Sequence, residues 1–372
     1  MPWDARNTMS LRTEFVRLAQ HEGSFAELCR RFRISRKTGY KWLRRFTAQG
    51  PDGLADRSRR PQTSPARTEA ELEQRVVLIR TEHPAWGARK IRAILNREGS
   101  QLLPATSTIT GILHRHGLIS AHESEQHEPW KRFERATPNE LWQMDFKGHF
   151  ATDGSRCHPF TMIDDHSRYA LALQACADER METVRERLIR TFKTYGLPQA
   201  ILADNGSPWG SAGHDSHTEL SVWLMRMNVR LLHGRPHHPQ TQGKEERFHR
   251  TLKAEILNER FYDLDHCQKR FDKWRTIYNW DRPHQALAMD VPGKNYRPSA
   301  RAYPEQLPEI VFAPDMQIRK VDDGGRVRWQ GRDVRIGRAF AGLPVGVRPC
   351  LPDGSYEIYF GSELLLKLPC ED

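Results

Sequence analysis

Leu141-Trp142-Gln143-Met144-Asp145-Phe146 alternates apolar and polar side chains from Trp142 onward and reads as a β-strand. Outward from it the period switches repeatedly. Pro159–Ile163 and Arg168–Ala175 read as two more strands, joined at Asp164-Asp165-His166-Ser167. Met181–Tyr195 has the period of an amphipathic helix, and Ala200–Ala203 is a short apolar strand that ends in Asp204-Asn205-Gly206. Thr218–Met227 reads as a helix, Val229–Leu232 as a strand, and Lys244–Arg260 and Cys267–Asn279 as helices. Three strands followed by alternating helices and strands predict a mixed α/β sheet with helices on both faces.

Three carboxylates in this region share a logic. Asp145 lies inside the first strand, where an acid among apolar neighbours costs free energy unless it is paired. Asp204 follows the strand Ala200–Ala203, at the carboxyl end where open α/β sheets bind ligands. Glu246 lies in the first turns of the helix that follows Pro239-Gln240-Thr241-Gln242-Gly243. Taken singly, each is routine, since a helix N-terminal acid simply complements the helix dipole. Taken together, they are a set that could converge on one or two hard divalent cations, for which oxygen ligands are preferred.

The flanks differ in kind. Residues 1–47 read as three helices: Leu11–His21, Phe25–Phe32 with Ser24 and Glu27 spaced as a capping box, and a third capped by Ser35. In the third helix Tyr40, Leu43 and Phe46 are expected inside, with Arg36, Lys37, Lys41, Arg44 and Arg45 outside. Two short helices, a tight turn and a basic helix predict a helix-turn-helix whose basic helix enters a major groove. Glu69–Glu82, Ala88–Arg97 and Ser107–His116 suggest a second such unit. From about Ala313 to Leu368, short β-type runs such as Arg326–Trp329 and Tyr356–Phe360, separated by Gly-rich turns, predict a small antiparallel barrel or sandwich. The expected domains are 1–50 (helix-turn-helix), 51–68 (linker), 69–119 (second helical unit), 120–138 (linker), 139–300 (α/β core) and 313–372 (all-β barrel).

Charge points to the partner. The 372 residues carry 58 Lys and Arg against 47 Asp and Glu, a net charge of +11. Between Leu28 and Arg67 twelve basic residues face two acids, Asp52 and Asp56, a local surplus suited to a polyanion such as DNA. Arg326 and Arg328 alternate along one strand and so share a sheet face. The six Cys form no CxxC pair, which disfavours a disulfide scaffold and a Cys-rich zinc site and fits a reducing cytoplasm. Apolar stretches such as Tyr169–Ala175 are far shorter than the roughly 20 residues that span a bilayer. No apolar segment follows Asp4 and Arg6, so no signal peptide is expected.

Residues from about 139 to 300 resemble the integrase catalytic core of bacterial insertion-sequence transposases and retroviral integrases, the DDE superfamily. The resemblance is carried by Trp142–Asp145, Ile163–Tyr169 (IDDHSRY), Asp204-Asn205-Gly206, Pro239–Phe248 (PQTQGKEERF) and Tyr278–Leu287 (YNWDRPHQAL). It implies a ribonuclease H-like fold and metal-dependent DNA cleavage and strand transfer. Asp145, Asp204 and Glu246 fall on the family's three metal-binding positions, Glu246 rather than Glu245 because it stands three residues after the glycine. Mg²⁺ or Mn²⁺ is then expected, two ions per site. The spacing between Asp204 and Glu246, 41 residues, is longer than usual, with the surplus assigned to a loop at Ser211–Ser216.

Glu246, Arg250 and Lys253 recur at helical spacing, and beside a metal site Arg250 and Lys253 are expected to grip phosphates. Asp164 and Asp165 read as turn residues, and His237-His238 as part of a DNA-facing loop. Tyr278, Asn279, Arg282, Pro283 and His284 match a family signature whose role the residues alone leave open, between packing and DNA contact. The expected protein is a transposase that binds the terminal inverted repeats of an insertion sequence through residues 1–118 and acts on double-stranded DNA. It would be at least a dimer on DNA, with no membrane partner, in the bacterial cytoplasm at the nucleoid. The alternative is a catalytically inactive or domesticated transposase-derived DNA-binding regulator; a ribonuclease H-like nuclease acting on RNA–DNA hybrids is disfavoured by the two helix-turn-helix units, which suit duplex DNA.

Overall fold

A computed structural model describes residues 8–21, 23–57, 68–100, 102–119, 134–206, 209–210, 217–234, 243–350 and 355–369. Parts of the two expected linkers (58–67 of 51–68 and 120–133 of 120–138), the loop 211–216 and His237-His238 lie outside these residues, whereas the start of the first linker belongs to a short 3-10 helix, Gly50–Leu54, with Leu54 buried. The chain divides into two units, Met1–Arg67 and Thr68–Asp372.

In the first unit, helices α1 (Thr8–Ala19), α2 (Phe25–Arg31) and α3 (Arg36–Gln49) enclose Phe15, Val16, Leu28, Cys29 and Trp42. The Ser35 hydroxyl accepts from the Thr38 amide at 3.2 Å, the expected cap of α3. Ser24 makes no such side-chain bond, so the expected capping box of α2 does not form. Its solvent-exposed position lets water serve those amides instead. The inward face of α3 also differs from expectation. Gly39 and Trp42 are buried, whereas Tyr40 is 54% exposed and stacks on Phe25 at 4.2 Å. Gly39 allows the close approach, since a Cβ there would lie 2.8 Å from both Cys29 and Phe15. Trp42 joins Gly39 on the buried face, while Leu43 and Phe46 pack against the margin of the same core as expected.

The second unit opens with helices α4 (Ala70–Glu82), α5 (Ala88–Arg97) and α6 (Thr106–Arg115), packed around Val76, Ile79, Trp86, Ile91, Leu95, Ile109, Ile112 and Leu113. Next come strands β1 (Trp142–Phe146), β2 (Phe150–Ala151), β3 (Arg156–Asp164) and β4 (Ala170–Cys176), helix α7 (Met181–Tyr195), strand β5 (Ala200–Ala203), helix α8 (Glu219–Arg226) and strand β6 (Arg230–His233). Helices α9 (Gly243–Glu255), α10 (Leu264–Trp280) and the short α11 (Pro292–Asn295) follow. The sheet order is β2-β3-β1-β5-β6, with β4 also on β3; β1 runs antiparallel to β3 and parallel to β5. One face packs against α7 and α8 through Val184, Leu188, Phe192 and Leu224. The other packs against α9 and α10 through Phe248, Leu252, Phe271 and Trp274. α9 ends at Glu255, earlier than the sequence period suggests.

The helical segment seats on this core. Arg97 donates to the carbonyls of Asp281 (3.1 Å) and Met289 (2.7 Å), and Ile277 packs against the α4–α6 cluster.

The C-terminal region holds a four-stranded antiparallel sheet and a hairpin. The sheet comprises β7 (Gln317–Lys320), β10 (Pro344–Cys350), β11 (Ser355–Phe360) and β12 (Glu363–Leu368), in the order β12-β11-β10-β7. The hairpin pairs β8 (Arg326–Trp329) with β9 (Arg332–Arg335). Among the described residues no strand pairing joins sheet and hairpin into the expected barrel; instead they share a core of Val321, Val327, Phe340, Val347 and Ile358. Val222 of α8 belongs to the same core, so this region is built onto the α/β sheet.

Candidate active site

Parallel pairing of β1 with β5 sets Trp142 opposite Ile201 and Gln143 opposite Leu202. Continued by two residues, this register puts Asp145 beside Asp204 at the carboxyl ends of adjacent strands. The two are electrostatically coupled. Burial, and then the neighbouring Asp204 charge, push the Asp145 carboxyl up to about 7, against the Phe146 amide, which donates to it at 2.8 Å. The strand exit is held by His233, whose Nδ1 lies 2.7 Å from the Asp204 carbonyl oxygen. The Gly206 amide donates to Asp204 Oδ1 at 3.0 Å.

Helix α9 presents two faces. Glu246, Arg250 and Lys253 lie on its exposed side, whereas Glu245, Phe248, His249 and Leu252 are buried. Of the adjacent glutamates, the structure turns Glu245 toward Asp145 and leaves Glu246 at the surface. Among the described residues, no group of three His, Cys, Asp or Glu is arranged to hold a metal ion. The structure therefore brings Asp145 and Asp204 together but does not bring Glu246 into a formed cluster with them.

Glu245 belongs to a buried network absent from the sequence reading. Thr161, opposite Asp145 on β3, has its hydroxyl 2.9 Å from the Asp145 carbonyl, 2.8 Å from His249 Nε2 and 3.3 Å from Glu245 Oε2. Glu245 Oε1 has no hydrogen-bond partner. Burial, and then the Asp145 charge, hold the Glu245 carboxyl well above the ordinary range. Burial, and then Lys147, push His249 down to about 3, so the imidazole is neutral. His249 Nδ1 lies 3.8 Å from Asp145 Oδ2. The i, i+4 spacing of Glu245 and His249 was the only signal in the sequence, and it resembles any helical surface pair.

The signature around Tyr278 resolves to packing and anchoring. Asn279 bonds both the amide and the carbonyl of Ala170 on β4, at 2.8 and 3.1 Å. Arg282 pairs with Glu255 at 3.2 Å, both side chains under 10% exposed, and Trp274 donates to the same carboxylate at 2.7 Å. This fastening marks the end of α9.

On α3, Arg36, Lys37 and Arg44 are exposed. The other two expected contacts, Lys41 and Arg45, have their cationic groups 4.5 and 5.2 Å from the Trp42 ring and are partly committed to packing. On the hairpin, Arg326 and Arg328 face solvent while Val327 and Trp329 face the core.

Comparison with known proteins agrees with this architecture. Family models for an integrase core domain match residues 135–239 and 227–292, and the C-terminal domain of IS481 family transposases matches 316–365. The chain thus carries an integrase core together with an insertion-element transposase C-terminal domain. A helix-turn-helix domain matches 11–62 and a homeodomain-like domain 38–113. The insertion element IS407 uncharacterized 31.7 kDa protein of Burkholderia multivorans is 27% identical, over 64% of this chain and 86% of that protein. The insertion element IS476 uncharacterized 39.2 kDa protein of Xanthomonas euvesicatoria is 25% identical, over 46% of this chain and 49% of its own length. Among solved structures, a chain of a simian T-cell lymphotropic virus intasome is 17% identical with a TM-score of 0.37, covering 80% of this chain and 99% of that chain. No described helix is long and apolar enough to cross a membrane.

Proposed function

We propose that this transposase binds the terminal inverted repeats of its insertion sequence and cleaves and joins DNA at a site formed by Asp145, Asp204 and Glu246. The observation that carries the reading is the juxtaposition of Asp145 and Asp204 at adjacent strand ends, with an acid-bearing helix packed across the same sheet. Two carboxylates whose proximity raises the pKa of one form a donor set suited to a hard cation, which relieves their repulsion. Glu246 lies on the neighbouring helix, on the side that also presents Arg250 and Lys253. Mg²⁺ or Mn²⁺ bound there would supply charge stabilisation to the attacking and leaving oxygens of an in-line displacement.

The chain's own residues would do the rest. Asp145 and Asp204 would hold the cation at the strand ends, and so set where a phosphodiester could lie relative to the sheet. Arg250 and Lys253, one and two turns along from Glu246, neutralise flanking phosphates. Exposed Arg36, Lys37 and Arg44 on α3, with Lys41 and Arg45 beside them, would contact the end sequence. The exposed Arg326 and Arg328 of the hairpin would rest on target DNA. Two ends must be held for joining, so the working form is at least a dimer on DNA, in the bacterial cytoplasm at the nucleoid.

The test uses duplex DNA carrying the element's terminal repeat, with Mg²⁺ and the full chain. Glu246→Gln should abolish strand cleavage with end binding near normal. Glu245→Gln should lose tenfold at most, because glutamine reproduces the size and shape of a buried carboxyl whose charge burial and Asp145 oppose. Full activity in Glu246→Gln would reject Glu246 as the third acid.

Recognition is expected to separate from chemistry. Arg36→Ala with Lys37→Ala should weaken end binding and lower the slope of log K against log salt by up to about 2, since two phosphate contacts release fewer counterions. Wild-type binding at every salt concentration would place recognition elsewhere.

A further inference from the structure

Asp164 and Asp165 are adjacent in the β3–β4 turn, but their side chains do different things. Asp164 shapes the turn: its Oδ1 accepts from the Ser167 amide and hydroxyl at 2.7 and 2.6 Å, and its Oδ2 from the Asn139 amide at 2.8 Å. Asp165 is 1% exposed, and its carboxylate bonds reach out of the turn in three directions. Oδ2 accepts from the Arg135 amide at 2.8 Å, and Oδ1 accepts from Gln143 Nε2 at 2.8 Å and pairs with Lys244 Nζ at 2.5 Å. The Lys244 ammonium also donates to the Asp165 carbonyl oxygen at 3.1 Å.

The positions of two of these partners matter. Gln143 stands two residues before Asp145 on β1, and Lys244 two residues before Glu246 in the first turn of α9. One buried carboxylate therefore bonds both the strand that carries the first acid and the helix that carries the third. A buried ion pair is a costly way to gain stability, because apolar residues of similar volume commonly do as well or better. What it provides here is a fixed geometry between two elements that share no backbone hydrogen bonds.

Resting on the reading of Asp145, Asp204 and Glu246 as one metal site, we propose that Asp165 is a positioning residue which, through Gln143 and Lys244, sets the spacing of Asp145 and Glu246 and so the affinity of the site for divalent cations. Lys244→Met keeps the aliphatic stem and removes the charge that ties α9 to Asp165. Gln143→Leu removes the strand arm and leaves the ion pair in place. Lys244→Arg returns a cation that can still reach the carboxylate.

The experiment is a thermal-shift titration of the full-length protein with Mn²⁺, with hydrogen exchange followed over residues 243–250. Lys244→Met should raise the half-saturating Mn²⁺ concentration at least tenfold and speed exchange in the first turn of α9. Gln143→Leu should raise half-saturation several-fold with α9 exchange unchanged. Lys244→Arg should return most of the wild-type response, which a role in general packing would not predict. If Lys244→Met does not fold, Gln143→Leu decides. Wild-type half-saturation in every folded variant overturns the positioning role while leaving the metal site intact. A wild-type protein with no Mn²⁺ response overturns the metal site itself, and the positioning role with it.

Discussion

Asp145→Asn should lower strand cleavage by about a thousandfold or more and leave end binding unchanged. Charge stabilisation at a metal site contributes several kcal/mol to a phosphoryl-type transition state, and about 4 kcal/mol is a factor of a thousand. The same substitution should stabilise the metal-free fold, and with a defined pH dependence. Asp145 ionises near its ordinary 3.8 when unfolded and at about 7 in the folded chain, because burial and Asp204 oppose its charge. Below about pH 4 both states hold the proton, so wild type and variant differ little. As the pH rises from about 4 to 7 the unfolded wild type releases its proton first, and wild-type stability falls relative to Asp145→Asn. Denaturation measured across that range in EDTA checks the sign; an advantage that shrinks with pH would mean that Asp145 is stabilised, not strained, as an anion.

Phe248→Ala is expected to cost about 3–5 kcal/mol of stability, the range for removing a buried aromatic ring. Phe248 is 1% exposed and meets Trp274 and Tyr278 edge to face, at 5.4 and 5.0 Å between ring centroids. It is the apolar centre of the face that α9 lays on the sheet, so a cavity there loosens the helix carrying Glu246. Urea unfolding followed by tryptophan fluorescence gives the magnitude. A loss below about 1 kcal/mol would mean that α9 is held by its polar anchors alone rather than by this packing.

The α/β region was legible because its elements announce themselves by period. Met181–Tyr195 and Ala200–Ala203 have the bounds in the structure that their sequence pattern predicts. The helix α9 was overextended to Arg260 because its apolar period continues past Glu255, whereas the Arg282–Glu255 pair that fastens the end joins residues 27 apart in sequence. On α3 the misreading of Tyr40 had a local cause. Gly39 is buried against Phe15 and Cys29, and a glycine gives the hydrophobic pattern no weight on the face it occupies. The convergence of Asp145 with Asp204 was expected from the three-acid set, whereas the parallel register of β1 and β5 that delivers it was not. The network of Thr161, Glu245 and His249 could not, because it depends on the register of β1 against β3 and on which side of α9 faces the sheet. Likewise, nothing in IDDHSRY distinguishes Asp164, which bonds Ser167 in its turn and the Asn139 amide, from Asp165, which reaches β1 and α9.

If Asp145, Asp204 and Glu246 form one site for a divalent cation, isothermal titration of the metal-free full chain with Mn²⁺ will read that site. Wild type should bind with affinity that falls as the pH drops below about 7, because a proton on Asp145 competes with the ion. Asp204→Asn and Glu246→Gln should each weaken binding at least tenfold, and the double variant should lose it. Equal binding by wild type and both single variants would contradict the shared site and place the acids in separate structural roles.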